Sequence, residues 1–125
     1  MNDARKHLVL VVEDDEEVRA STRTLLEASG YAVRECASGE DAMAAGDAST
    51  ADCIVLDHNL PGMSGLDLFR RLRSEGIQTP AIMVSGNGNK LIAAATKAGI
   101  AAVLRKPISA EALEQWLQHI LSGAD

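Results

Sequence analysis

The sequence predicts an α/β fold built on a five-stranded parallel sheet, and three observations carry that expectation. Short apolar runs alternate five times with longer segments of helical period, the pattern of β-then-α units whose helices cover both faces of a sheet. The apolar runs are continuous, as in Leu8-Val9-Leu10-Val11-Val12 and Cys53-Ile54-Val55-Leu56, as expected for buried parallel strands. Two of these runs end in acid, Glu13-Asp14-Asp15 after the first and Asp57 after the third. Parallel strands would deliver those carboxylates to one edge of one sheet.

The elements follow in order. Strands are expected near 8–12, 31–36, 53–57, 81–84 and 101–104, and helices near 15–29, 39–47, 64–75, 89–98 and 109–121. Asp15 suits the N-cap or first turn of the first helix, where the helix dipole favours an acid. Val18, Leu25, Leu26 and Ser29 mark one face of that helix. Ser38 and Ser109 precede later helices as N-caps, with Asp41 and Glu111 in the first turns. Gly30, Gly76 and Gly99 stand where helices should end in a left-handed residue. In the last helix Ala112, Leu113, Trp116, Leu117, Ile120 and Leu121 form a broad apolar stripe, which reads first as a core-facing surface.

At 125 residues the chain suits one domain, 1–125, with an ordered core of about 7–121 and frayed termini. Lys and Arg number 12 against 18 Asp and Glu, a formal charge of −6, and aromatics make up 2%. That balance lacks the positive footprint and stacking surfaces of direct nucleic-acid binding. No apolar stretch approaches the roughly 20 residues of a membrane span, and the N-terminus leads into a five-residue strand instead of a signal-peptide core. A cytoplasmic location is therefore expected. Cys36 and Cys53 form neither a disulfide framework nor a zinc site.

Right-handed crossovers in such a sheet allow the flavodoxin-like order 2-1-3-4-5, a doubly wound (βα)5 arrangement. In that order the carboxyl ends of strands 1 and 3 lie side by side at the topological switch point, bringing Glu13, Asp14 and Asp57 together. A strand intervenes between Cys36 and Cys53, putting them roughly 9 to 10 Å apart, beyond disulfide reach. Both thiols should stay reduced.

Carboxylates so arranged repel by about 4 kcal/mol per pair at 4 Å with an effective dielectric near 20, so positive charge must offset them. A hard divalent ion suits an all-oxygen site, and Mg²⁺ binds through one or two carboxylates while keeping open positions for a phosphate. Lys106, just after the fifth strand, could add a second positive charge. Ser85, after Ile82-Met83-Val84, brings a hydroxyl to the same edge.

Taken in order, Val11-Val12-Glu13-Asp14, Leu56-Asp57 with Leu60-Pro61-Gly62-Met63-Ser64-Gly65, Val84-Ser85-Gly86 and Lys106-Pro107 resemble the receiver domain of two-component response regulators. The resemblance covers essentially the whole chain. It implies that Asp57 is the phosphoacceptor, Asp14 a direct Mg²⁺ ligand, Glu13 a ligand through water, and Asn59 a ligand through its backbone carbonyl. Ser85 would bind a phosphoryl oxygen, and Lys106 would pair with Asp57 and then with the phosphoryl group. A cis Lys106–Pro107 bond that aims the amine inward is implied as well. The partner implied is a sensor histidine kinase or phosphotransfer protein, whose phosphohistidine donates to Asp57 by in-line transfer. Phosphorylation should draw Ser85 and its loop inward and bias the surface of the fourth helix, fifth strand and fifth helix toward a docking partner or output domain.

One position departs from the family pattern. Many receivers carry Tyr or Phe three residues before the Lys, where this chain has Val103, which cannot make the same large rotamer change. Other readings compete with less support. A haloacid-dehalogenase-like phosphatase needs a second acid where Asn59 stands, and a pure interaction module would not require Asp57, Asp14 and Lys106 together. Gly86-Asn87-Gly88-Asn89-Lys90 matches no phosphate-cradle spacing and reads as a flexible loop. His7, His58 and His119 have no ligand spacing, and strand alternation turns His58 away from Asp57. The chain reaches Asp125 without an output domain, the expectation for a stand-alone receiver or a piece of a hybrid kinase or transcription factor. The last helix offers a phosphorylation-dependent dimer surface around Trp116, with burial in the core as the competing account of the same residues.

Overall fold

In a computed structural model of the chain, residues 6–86 and 89–122 are described. Five parallel strands, β1 (Leu8–Val12), β2 (Ala32–Cys36), β3 (Cys53–Asp57), β4 (Ala81–Ser85) and β5 (Ala102–Arg105), form one sheet in the order β2-β1-β3-β4-β5. Val12 lies opposite both Cys36 and Leu56, and Leu56 opposite Met83. The acid-bearing ends of β1 and β3 are thus neighbours at the switch point, as the strand order requires. Among the described residues five helices lie between strands, α1 (Glu16–Ala28), α2 (Gly39–Ala45), α3 (Asp47–Thr50), α4 (Gly65–Ser74) and α5 (Asn89–Ala98), and α6 (Ala110–Ser122) follows β5.

Strand alternation divides the core in two. Leu10, Val12, Ile54, Leu56 and Met83 project to one face, where Leu66, Phe69 and Leu72 of α4 and Leu91 and Ala95 of α5 cover them. Val9, Val11, Val55, Ile82 and Val84 project to the other, against Leu26 of α1 and Leu113 and Leu117 of α6. Because both faces are covered there, the three inner strands β1, β3 and β4 can be apolar along their length, whereas the edge strand β2 carries Arg34 and Glu35 within it. In β3 and β4 the polar residue comes at the strand end, Asp57 and Ser85, and in β1 just past it, Glu13.

Three expectations need correction. The helix expected over 39–47 is two: Gly46 takes φ +73° and separates α2 from the four-residue α3, a conformation glycine adopts without a Cβ clash. Thr79 Oγ1 donates to the Ala48 carbonyl at 2.6 Å, tying α3 to the segment before β4. Ser29 is exposed at the C-cap of α1, and Thr22 is the buried polar residue of that helix. The stripe on α6 splits, with Leu113 and Leu117 fully buried and Trp116 38% exposed, its ring edge-to-face with His119. Smaller shifts extend β4 to Ser85 and move β5 one residue later.

Other signals agree with the expected boundaries. Asp15 caps α1, accepting from the Glu17 and Val18 amides, and Ser38 caps α2. Ser109 Oγ accepts from the Ala112 amide at the start of α6. Gly30, Gly76 and Gly99 all have positive φ, and the Lys106–Pro107 bond is cis. Among the described residues no helix is long and apolar enough to cross a membrane. Met1–Arg5, Gly123–Asp125 and the Asn87-Gly88 part of the β4–α5 loop lie outside the described residues.

The two thiols occupy different faces: Cys36 packs with the α4 side and Cys53 with the α6 side, with β1 between their strands. Burial pushes the Cys53 thiol up to about 12, and burial raises Cys36 too. Since the thiolate is the nucleophile, native protein treated with an alkylating reagent at pH 8 should gain no label, and denatured protein two. Mass spectrometry reads the outcome, and rapid native labelling of Cys53 would contradict this packing.

Candidate functional site

The site is built at the carboxyl edge of the sheet from β1, β3, β4 and β5. Asp57 is the last residue of β3 and only 3% exposed. The main chain beyond it is fixed, because the His58 amide donates to the Val84 carbonyl at 2.9 Å and the His58 carbonyl accepts from the Gly65 amide at 2.9 Å. Gly65, the first residue of α4, packs so closely that an added Cβ would lie 2.4 Å from the Asp57 carbonyl. That backbone-to-backbone approach permits no side chain, and it sets the turn that follows Asp57.

One carboxylate oxygen each from Glu13, Asp14 and Asp57 lies within 4.8 Å of the others. Glu13 is buried, its amide donating to the Cys36 carbonyl at 3.0 Å and its Oε2 accepting from the Asp15 amide at 3.1 Å. Asp14 is exposed at the rim. Lys106 follows β5, and its Nζ stands 3.2 Å from Asp57 Oδ2 and 3.5 Å from Glu13 Oε1. One ammonium thus serves two carboxylates. An all-carboxylate donor set with open access at Asp14 fits a hard, oxygen-seeking divalent cation of the Mg²⁺ class.

The protonation tendencies follow. Burial raises the Glu13 carboxyl above its ordinary range; the Asp15 amide opposes this, the Asp57 charge adds to it, and Lys106 opposes it. For Lys106, partial burial favours the neutral amine, yet hydrogen bonding and charge attraction from Asp57 and Glu13 outweigh it and hold the amine above the ordinary lysine range.

Ser85, the last residue of β4, is buried, and its carbonyl accepts from the Lys106 amide at 3.0 Å, joining hydroxyl-bearing and lysine-bearing strand ends through the main chain. The Asn59 amide donates to Asp57 Oδ1 at 3.3 Å, so Asn59 lies beside the carboxylate. Val103 sits opposite Met83 on β5, partly buried against the core on the α4–α5 side, one alternate position before Arg105, which pairs with Ser85. His58 is half-buried with Nδ1 shielded from solvent. Two residues act at the site in ways the sequence did not signal. Gly65 acts through a contact with a residue eight positions earlier. Arg19 of α1 donates from Nη1 to the Glu13 carbonyl at 2.8 Å.

Comparison with known proteins agrees with this fold. The family model "Response regulator receiver domain" matches residues 9–118. The transcriptional regulatory protein FixJ of Azorhizobium caulinodans is 39% identical over 106 residues, 84% of this chain and 50% of that protein. The C4-dicarboxylate transport transcriptional regulatory protein DctD of Rhizobium meliloti is 33% identical over 108 residues, 86% of this chain and 24% of that protein. The chain thus spans half or less of these relatives. Among solved structures, a response regulator from Chloroflexus aurantiacus matches with a TM-score of 0.87 at 30% identity, covering 94% of this chain and 99% of that one. The receiver domain of the Francisella response regulator 1452 matches at 0.89 and 26% identity, covering 96% and 100%.

The raised Glu13 carboxyl gives a stability prediction for metal-free protein. Below the ordinary value of 4.5 the group is protonated folded and unfolded alike and contributes nothing. As pH rises through that value toward the higher folded one, the unfolded state ionises first and folding loses stability. Glu13→Gln cannot ionise and can still accept from Asp15, so in a chelator at pH 7 it should unfold at a higher denaturant concentration than wild type. The gap should close below pH 4.5. A variant no more stable than wild type at pH 7 would contradict the cost assigned to burying an ionised Glu13 beside Asp57.

Proposed function

The chain belongs to the response regulator receiver domain family, and from that premise we propose that it accepts a phosphoryl group from a histidine kinase or phosphotransfer protein on Asp57. Receiver domains are regulatory phosphoacceptors of two-component systems that bind Mg²⁺ through acidic residues. The observation that carries the assignment to Asp57 is the Lys106 ammonium bridging Asp57 Oδ2 at 3.2 Å and Glu13 Oε1 at 3.5 Å. That geometry sets a cation beside the buried carboxylate that would act as the nucleophile.

In the reaction a carboxylate oxygen of Asp57 attacks phosphorus in line, the new O–P bond forming as the N–P bond of the donor phosphohistidine breaks and its imidazole leaves. Lys106 neutralises an equatorial phosphoryl oxygen, and Ser85 donates a hydrogen bond to another. Glu13, Asp14 and the Asn59 carbonyl, with Asp57, would hold Mg²⁺. When bound, the ion supplies charge neutralisation at the phosphoryl oxygens. Water attack on the acyl phosphate returns Asp57 to its carboxylate, so the chain turns over only its own modification. The fold and charge suit a cytoplasmic module of one domain, relaying its state by protein contact and not by touching nucleic acid.

Incubation with a small phosphodonor and Mg²⁺, or with a cognate kinase, should yield one acid-stable, base-labile phosphoryl group, scored by intact mass. Asp57→Asn should abolish it. Retention of the label in that variant would reject Asp57 as acceptor.

Output is assigned to the α5-β5-α6 surface, where Ile92 and Trp116 are exposed large apolar side chains. These favour docking of a partner or output domain, or a phosphorylation-dependent dimer around Trp116. Beryllofluoride, a phosphoryl mimic, should shift amide resonances at Ser85 and on this surface while leaving Val103 little changed. Sedimentation of the same sample then separates the two outputs, a dimer supporting self-association and a monomer a docked partner. A spectrum unchanged by the mimic would defeat the switch.

A further inference from the structure

Arg19 reaches the acid pair through its main chain, not through its carboxylates. From α1 its Nη1 donates to the Glu13 carbonyl at 2.8 Å and lies 3.5 Å from the Asp14 carbonyl. Its Nε stands 3.4 Å from Glu35 Oε1 on β2. Glu35 is itself held, because its other oxygen accepts from Arg23 Nη1, and Arg23 Nε pairs with Glu27 one turn along α1. Arg19 and Glu35 are both less than a quarter exposed, so the guanidinium has a confined geometry. We propose that Arg19 is a positioning residue for metal binding: oriented by Glu35, it clamps the Glu13–Asp14 main chain and fixes where the two carboxylates meet Asp57.

Two physical effects compete, and they have opposite signs. A guanidinium near a cation site repels the cation by charge, so removing it would tighten binding. A planar guanidinium whose Nη1 holds the Glu13 carbonyl while its Nε is held by Glu35 preorganises the acid pair, so removing it would weaken binding. The hydrogen bonds run to neutral carbonyls on the loop, and Glu35 already offsets much of the arginine charge. Preorganisation therefore outweighs repulsion. The asymmetry of the supporting bonds agrees: Glu13 has its amide on Cys36 and its carboxylate on the Asp15 amide, and its remaining main-chain group, the carbonyl, is the one Arg19 takes.

This proposal rests on the reading that Glu13, Asp14 and Asp57 hold Mg²⁺, and calorimetric titration of the full chain with MgCl₂ tests both without measuring phosphoryl transfer. Arg19→Gln should weaken Mg²⁺ on the order of tenfold, the scale on which groups that orient metal ligands act. Arg19→Lys keeps the charge but not the planar guanidinium and should also weaken it. Glu35→Gln should weaken it in the wild-type background and add nothing in the Arg19→Gln background, since it acts through Arg19. Affinity of Arg19→Gln within about twofold of wild type, or tighter, or losses that add across the double variant, would overturn the proposal. If Arg19→Gln does not fold, Arg19→Lys and Glu35→Gln carry the same test, and wild-type affinity in both would overturn it. Wild type that binds no Mg²⁺ would overturn the metal reading itself, which is a distinct result.

Discussion

Charge crowding at the junction of β1 and β3 is the constraint on which the rest of this molecule depends. Three carboxylate oxygens within 4.8 Å of one another, two of them on buried residues, are a cost that the apolar sheet beneath cannot relieve. A single lysine ammonium shared between Asp57 and Glu13 offsets part of it. Removing one partner from such a buried group leaves the other charges uncompensated, which is why these pairs are sensitive out of proportion to their number. The arrangement is therefore poised to gain from a further cation and to respond when the charge on Asp57 changes.

Holding like charges together requires a stiff frame. The parallel sheet supplies it, since five strands covered on both faces fix their carboxyl ends to within the play of a few main-chain hydrogen bonds. The loops beyond are then pinned one by one: Asp15 caps α1 immediately after the acid pair, and Ser64 caps α4, its Oγ accepting from the Asp67 amide. Gly65 lets the start of α4 press against the Asp57 carbonyl, and the Ser85 carbonyl takes the Lys106 amide. Each contact is backbone to backbone or cap to backbone, so the site's geometry is written mostly in main chain and its chemistry in a few side chains.

That division explains what was legible beforehand. The strands and the carboxylates at their ends were plain, because a polar residue closing a continuous apolar run is conspicuous, and the order 2-1-3-4-5 then placed Glu13, Asp14 and Asp57 together. Lys106 and Ser85 were readable for the same reason. Features that act through the main chain were not. Gly65 stood in the motif after Asp57, but its close approach to the Asp57 carbonyl arises only in the fold, and Arg19 gave no signal because its acceptors are main-chain carbonyls. The break at Gly46 was hidden because Asp47-Ala48-Ser49-Thr50 is too short to show a helical period. Trp116 was misplaced because an apolar stripe broader than the buried seam gives no sign of which edge stays in water.

Val103 bears on how a change at Asp57 would travel. An aromatic there could swing as a separate lever, but valine is branched at Cβ and stiff at χ1, and this one is packed against the core opposite Met83. The main chain offers another connection. Ser85 closes β4 in register with Arg105 of β5, and its carbonyl holds the Lys106 amide. A displacement of Ser85 toward a phosphoryl group on Asp57 would strain that bond and the lysine's contacts together, coupling the β4 end to the β5 end without any rotamer change at Val103. The resulting shift would be small in amplitude and would run through β5 into the start of α6, the helix that carries Trp116 at the surface.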